Sequence, residues 1–188
     1  MHATLTTTAR LLTVAAAVVA APLGALAQTA SQPGLIQELR LGVLVHDMPG
    51  LWSGFRLERG ADINAEAILS PALPLFGGNL RPVIGASIST SGQTSKVYFD
   101  ARWMIEARSG FFLGLGIGAA VHNGLIDPTD VDRKALGSRV LFHFPLEIGY
   151  RFDRHNSLSL YFDHVSNGYT RAYNEGLDSL GVRYGYRF

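Results

Sequence analysis

Cysteine is absent from this chain. That excludes disulfide frameworks and every cysteine-ligated metal site. A surplus of one charge sign is absent too: 16 Lys and Arg stand against 15 Asp and Glu, a formal net charge of +1. Nothing in that balance points to nucleic acid. Beyond Ala27 there is no long hydrophobic run, so no segment approaches the roughly 20 residues of a membrane-spanning helix. Yet 47% of the residues are hydrophobic and 21 are glycine. A chain this apolar without helical runs must distribute its hydrophobic residues over short segments, which points to strands.

The N-terminus reads as an export signal. Arg10 precedes an alanine-rich apolar run from Leu11 to Ala21. Pro22 and Gly24 break it, and Ala25-Leu26-Ala27 has the small-x-small pattern of a signal-peptidase site. Residues 1–27 are expected to be a signal peptide and residues 28–188 a single domain.

Period-two alternation recurs along that domain. Leu39, Leu41, Val43 and Val45 share one face of a strand, with Glu38, Arg40 and Gly42 on the other. Ala61–Leu69 sets Ile63, Ala65 and Ala67 against Asp62, Asn64 and Glu66. Similar patterns run through Leu80–Ile88, Val97–Ile105, Phe111–Val121, Val140–Tyr150, Leu158–Ser166 and Asp178–Phe188, giving eight strands. Each has one apolar face, and the opposite face is charged or glycine-rich. A soluble sandwich buries its apolar faces against one another. A membrane barrel turns the same alternation inside out, with apolar residues on lipid and polar ones in the lumen.

Three features favour the barrel. The export signal gives access to the cell envelope. The polar faces carry both charge signs, as in Glu66, Asp100, Arg102, Glu147 and Arg183, which suits a narrow lumen filled with paired side chains. The chain also closes on an aromatic strand, Tyr184-Gly185-Tyr186-Arg187-Phe188, resembling the terminal signal of bacterial outer-membrane barrels. The expected fold is therefore all-β, an eight-stranded antiparallel transmembrane barrel of the outer membrane. Gaps His46–Gly60, His122–Arg139 and Asn167–Leu177 are long, whereas Ala107–Gly110 and Arg151–Ser157 are short. Long outer loops and short periplasmic turns place both termini in the periplasm. Only Ser70–Asn79 is longer than a short turn should be.

On the seventh strand, His164 and Ser166 continue the apolar row of Leu158, Leu160 and Phe162. Counting back by twos from Phe188 puts Asp178 on the same kind of row in the eighth strand, at the same outer end. A serine, an imidazole and a carboxylate on one outward patch match a nucleophile, a base and an acid that orients the base. Polar groups on a lipid-facing surface are costly and read as functional by default.

The segment His164-Val165-Ser166-Asn167, followed by Asn174-x-Gly176-x-Asp178 and an aromatic-terminated strand, resembles the lipid A 3-O-deacylase family of the PagL type. The resemblance is sharp over Tyr161–Phe188. It implies an outer-membrane barrel whose lipid-facing Ser, His and acid remove the ester-linked acyl chain at position 3 of lipid A. It implies His164 as base and Ser166 as nucleophile. Asn167 would help form an oxyanion hole with backbone amides such as that of Gly168, and Asn174 would support the loop. The family's acid is glutamate; here Asp178 stands at the matching spacing, and Glu175 is the alternative acid. No cofactor or metal is implied. The expected partners are lipid A or lipopolysaccharide and membrane lipids, with a homodimer left open and no nucleic acid.

Other features carry less. His46, His122 and His143 lack metal-ligand spacing, and Asp127, Asp130 and Asp132 read as a solvated loop. Gly114-x-Gly116-x-Gly118 lies inside a strand and makes room in the lumen. Trp52, Trp103, Tyr184 and Tyr186 fit an aromatic belt. Two readings besides the deacylase stay open: a non-catalytic structural or adhesive barrel acting through its outer loops, and a phospholipase using the same three residues.

Overall fold

Alternating strands with one apolar and one charged face can satisfy both faces at once by closing on themselves, charges inward. A computed structural model, describing residues 34–55 and 57–188, has this form. The signal-peptide reading falls outside the described residues. The strands are β1 (Ile36–Val45), β2 (Ala61–Leu69), β3 (Leu73–Leu75), β4 (Gly78–Ser89), β5 (Lys96–Glu106), β6 (Phe111–His122), β7 (Val140–Arg151), β8 (Asn156–Ser166) and β9 (Leu177–Arg187). Neighbours pair antiparallel in the order β2-β1-β9-β8-β7-β6-β5-β4-β3, and β2 also pairs with β4, which closes the barrel. Eight strands form the wall.

The ninth, β3, explains the overlong connection Ser70–Asn79. Pro71 ends the pairing with β1, and the chain then runs back along the start of β4, with Leu73 opposite Leu80 and Leu75 opposite Gly78. Pro74, lacking an N–H, sits on the strand's outer edge, where proline is tolerated. The expected count of eight thus holds for the wall.

The outer wall exposes Leu41, Ile63, Phe99, Ile117, Ile148, Leu160 and Val182, a surface that belongs in hydrocarbon. No described helix is long and apolar enough to cross a membrane, so strands must make the crossing. Inside, Arg40, Arg102 and Arg183 are fully buried. Glu66 lies 3.0 Å from both Arg102 and Arg183, and Glu147 lies 2.7 Å from Arg183 and also pairs with Arg40. The Arg183 guanidinium lies 3.6 Å above the centre of the Tyr161 ring. Among the strand glycines, Gly116 shows the crowding: a Cβ there would come within 2.8 Å of Arg102 Nε.

At the end of the barrel opposite the start of β1 and the end of β9, three connections are tied together by one buried carboxylate, Glu58. It accepts from the backbone N–H of Thr94 at 2.9 Å, the Thr94 hydroxyl at 3.0 Å, Arg133 Nε at 2.9 Å and the backbone N–H of Lys134 at 3.2 Å. His46 Nε2 completes the set at 2.9 Å, and its Nδ1 faces Asp62 at 2.8 Å. Lys134 Nζ lies 3.0 Å from Asp47. Burial alone would raise the Glu58 carboxyl, but the bonds from His46, Thr94 and Arg133 outweigh it and hold the carboxyl down at about 2. Burial likewise opposes charge on His46, yet its bonds to Asp62 and Glu58 hold the imidazole above its ordinary value.

Two outcomes follow from these networks. Arg183→Met leaves Glu66 and Glu147 short of a buried counter-charge and should lower stability by about 3–5 kcal/mol, read as the urea midpoint of the heat-modifiable gel shift. The Glu58 contribution is complete above its ordinary value of 4.5 and is lost as pH falls through about 2. Amide protection of residues 90–95 and 130–137 should therefore drop over that interval. Glu58→Gln should show the lower protection already at neutral pH.

Candidate active site

The register of β8 on β9 builds the site. His164 is directly opposite Asp178, just as Phe162 is opposite Leu180 and Leu160 opposite Val182. Ser166 follows His164 by two residues on the same face. The three side chains meet: His164 Nδ1 lies 2.6 Å from Asp178 Oδ1, and His164 Nε2 lies 3.0 Å from Ser166 Oγ. Both ring nitrogens are used, so the carboxylate fixes the tautomer that leaves Nε2 facing the hydroxyl. The shorter aspartate reaches because cross-strand partners sit about 5 Å apart at Cβ.

Glu175 goes elsewhere. Its carboxylate accepts the backbone N–H of Ala135, and its own N–H donates to the Ala135 carbonyl at 3.3 Å, tying the β8–β9 loop to the β6–β7 loop. Asn174 lends its side-chain oxygen to the Asn167 backbone N–H at 2.8 Å. The Asn167 carboxamide donates to the carbonyls of Leu136, at 2.8 Å, and Tyr173, and accepts from the Thr170 N–H at 3.1 Å. Its donors are thus committed to the loop framework, which differs from the expected direct place in an oxyanion hole. Gly168 follows it with φ +63°. Gly176 has φ +63° as well, and a Cβ there would stand 3.1 Å from His164 Cε1, so no larger residue fits without displacing the imidazole.

The site faces outward from the barrel, yet His164, Ser166 and Asp178 are buried. The cover is the long β1–β2 connection, whose contribution no strand parity announces. The Met48 N–H donates to the Asp178 carbonyl at 2.8 Å, and the Ser53 N–H donates to Asp178 Oδ2 at 2.7 Å. Trp52 stacks on the His164 imidazole with centroids 4.2 Å apart and planes 12° apart. Phe144, opposite His164 on β7, packs 5.4 Å from the Trp52 ring. The sequence pattern placed Trp52 with the aromatic belt and gave no hint of this contact. Phe144 was legible as an outward residue, though its pairing was not.

Two hollows adjoin the constellation. One, of about 420 Å³, holds His164, Ser166, Ser53 and Tyr169 in its lining. The other, of about 400 Å³, is lined by Leu146, Leu160, Phe162 and Leu180 on the wall, with Leu51 above. Trp52 borders both. Among the described residues, no group of three or more His, Asp or Glu is arranged to hold a metal ion.

This arrangement can move a proton from a serine hydroxyl to an imidazole held by a carboxylate, beside a strip of hydrocarbon-facing wall. None of the curated proteins matches the chain significantly. The solved structure titled "Crystal structure of the outer membrane enzyme PagL" shares the fold: TM-score 0.61 at 18% identity, covering 80% of this chain and 99% of that one. Neisserial surface protein A aligns at TM-score 0.48 and 8% identity over 80% of this chain and 96% of its own. Yersinia pestis Ail aligns at 0.43 and 10% over 81% and 99%. A family model described as lipid A 3-O-deacylase (PagL) matches residues 49–187, a span that holds all eight wall strands except β1 and the side chains of His164, Ser166 and Asp178. The chain belongs to the lipid A 3-O-deacylase (PagL) family.

Proposed function

We propose that the protein is a serine esterase of the outer membrane that hydrolyses the ester-linked 3-O acyl chain of lipid A. The observation that carries this reading is the Ser166–His164–Asp178 chain of contacts, 3.0 and 2.6 Å long, on the outward face of the wall and beside an apolar furrow. Lipid A enters laterally from the membrane, with its ester carbonyl at Ser166 and its acyl chain along Phe162 and Leu160. From His164 to Leu160 the strand descends about 13 Å at ~3.3 Å per residue, a path for the chain toward the membrane interior.

His164 Nε2 takes the Ser166 proton as Oγ attacks the carbonyl carbon. Asp178 Oδ1 holds Nδ1–H and stabilises the imidazolium that forms. The tetrahedral oxyanion is met by the Gly168 backbone N–H, which the Asn167–Asn174 framework positions. The imidazolium returns its proton to the leaving sugar oxygen, leaving the fatty acyl group on Ser166. A water molecule, deprotonated by His164, then releases the fatty acid and restores the serine. Asp178 serves as the acid because it, and not Glu175, contacts the imidazole.

The test is the mass spectrum of lipid A from cells expressing each form. Wild type should remove one hydroxyacyl chain and Ser166→Ala none. Asp178→Asn should slow the reaction roughly 10⁴-fold while the folded gel mobility persists, and Glu175→Gln should leave substantial turnover. An unchanged spectrum with wild type would favour a barrel acting through its loops, and altered phospholipids would favour a phospholipase. Loss of activity in Glu175→Gln with retention in Asp178→Asn would reassign the acid.

A further inference from the structure

The indole of Trp52 lies nearly parallel to the His164 imidazole, 4.2 Å away at the centroids and inclined by only 12°. Two neutral aromatic rings favour offset or edge-on contact. A parallel stack also suits a pair in which one ring carries positive charge and the other presents its electron-rich face. His164 is the one ring here that acquires such a charge in the proposed reaction. Both of its nitrogens are already bonded, so only its faces remain for a further partner.

Trp52 remains 62% exposed: its ring meets the imidazole and Phe144 and is otherwise open toward the two hollows. Its segment is pinned to the site on both sides. Met48 upstream bonds the Asp178 carbonyl, and Ser53 downstream bonds the Asp178 carboxylate. Around Trp52, the Gly50 N–H donates to the Gly54 carbonyl at 2.8 Å, closing a tight turn with Trp52 near its tip. One short turn thus holds the acid by a backbone N–H and the base by an aromatic face.

We propose that Trp52 is a positioning residue of the reaction: its indole clamps the His164 ring in line between Asp178 and Ser166 and stabilises the imidazolium formed when His164 takes the serine proton. The inference rests on the esterase reading, and it makes the first outer loop part of the catalytic machinery. The effect falls on turnover, because the charge develops only as the reaction proceeds.

The test compares Trp52→Leu and Trp52→Phe with wild type and Ser166→Ala, using purified barrel in mixed micelles with lipid A. Folding is checked by heat-modifiable mobility. Trp52→Leu should lower kcat roughly three- to thirty-fold, the span of a cation–π contact, with KM within about twofold. Trp52→Phe should recover most of the loss. A second readout needs no turnover. The chain has two tryptophans, so Trp103→Phe leaves Trp52 as the sole indole emitter. At one fixed pH its emission should differ between this variant and the same variant carrying His164→Gln, because the stacked imidazole is then gone.

Wild-type kcat in Trp52→Leu, or a rise in KM alone, would overturn the proposal and leave Trp52 as a wall of the lipid site. Emission indifferent to His164→Gln would overturn the stacking. Activity surviving in Ser166→Ala would instead defeat the esterase reading, so the two failures are distinguishable.

Discussion

A polypeptide in hydrocarbon has no water to satisfy its backbone N–H and C=O groups. That constraint organises the rest of this structure. The sheet must close, and it does so where β2 meets β4. Closure turns one face of every strand to lipid and the other into a lumen too narrow for bulk water. Charges placed there must neutralise one another, which Glu66, Glu147, Arg40, Arg102 and Arg183 do. Such a network is costly to break, because removing one partner strands another in a low-dielectric interior. It therefore holds the register of strands that contribute nothing to the site directly.

That register reaches the chemistry through β8 and β9. His164 and Asp178 are fourteen residues apart in sequence and directly opposed in the sheet. A slip of one residue would send the whole row of one strand into the lumen, and Asp178 with it. The loops beyond the strands add the second constraint. Glu58 draws together the connections carrying Thr94 and Arg133, while Glu175 and Asn167 link the β8–β9 loop to residues 135 and 136. Trp52 and Ser53 descend from the same framework onto the His–Asp pair. The site is thus a strand pair with a lid of loop, each holding the other's polar groups.

The apolar furrow below Trp52 and the polar hollow beside Ser166 meet at that lid. Position alone separates their roles: one lies against the hydrocarbon-facing wall, the other at the loop level where an ester and its sugar would sit. Under the proposed function a lipid substrate would divide in the same way between chain and headgroup, which suits a site on the wall and away from the lumen.

Much of this was legible beforehand. Period-two alternation marked the wall strands, since a side chain's face depends only on its parity along a strand. The same counting put His164, Ser166 and Asp178 on outward rows, and the loop lengths put them at one end. Three things escaped it. The strand β3 hides in a proline-rich turn because its pairing depends on β4 and not on its own pattern. Asn167 looked like a donor to the reaction, but its amide is consumed by carbonyls of Leu136 and Tyr173 that no spacing could reveal. Trp52 and Ser53 lie in a loop without periodicity. The sequence by itself determined the barrel and the outward face of the three side chains, because parity is a local property of extended chain. Only the tertiary structure decided that Asp178 and not Glu175 meets the imidazole, and that an indole covers it. Those contacts depend on cross-strand register and loop docking, which are set by distant parts of the chain.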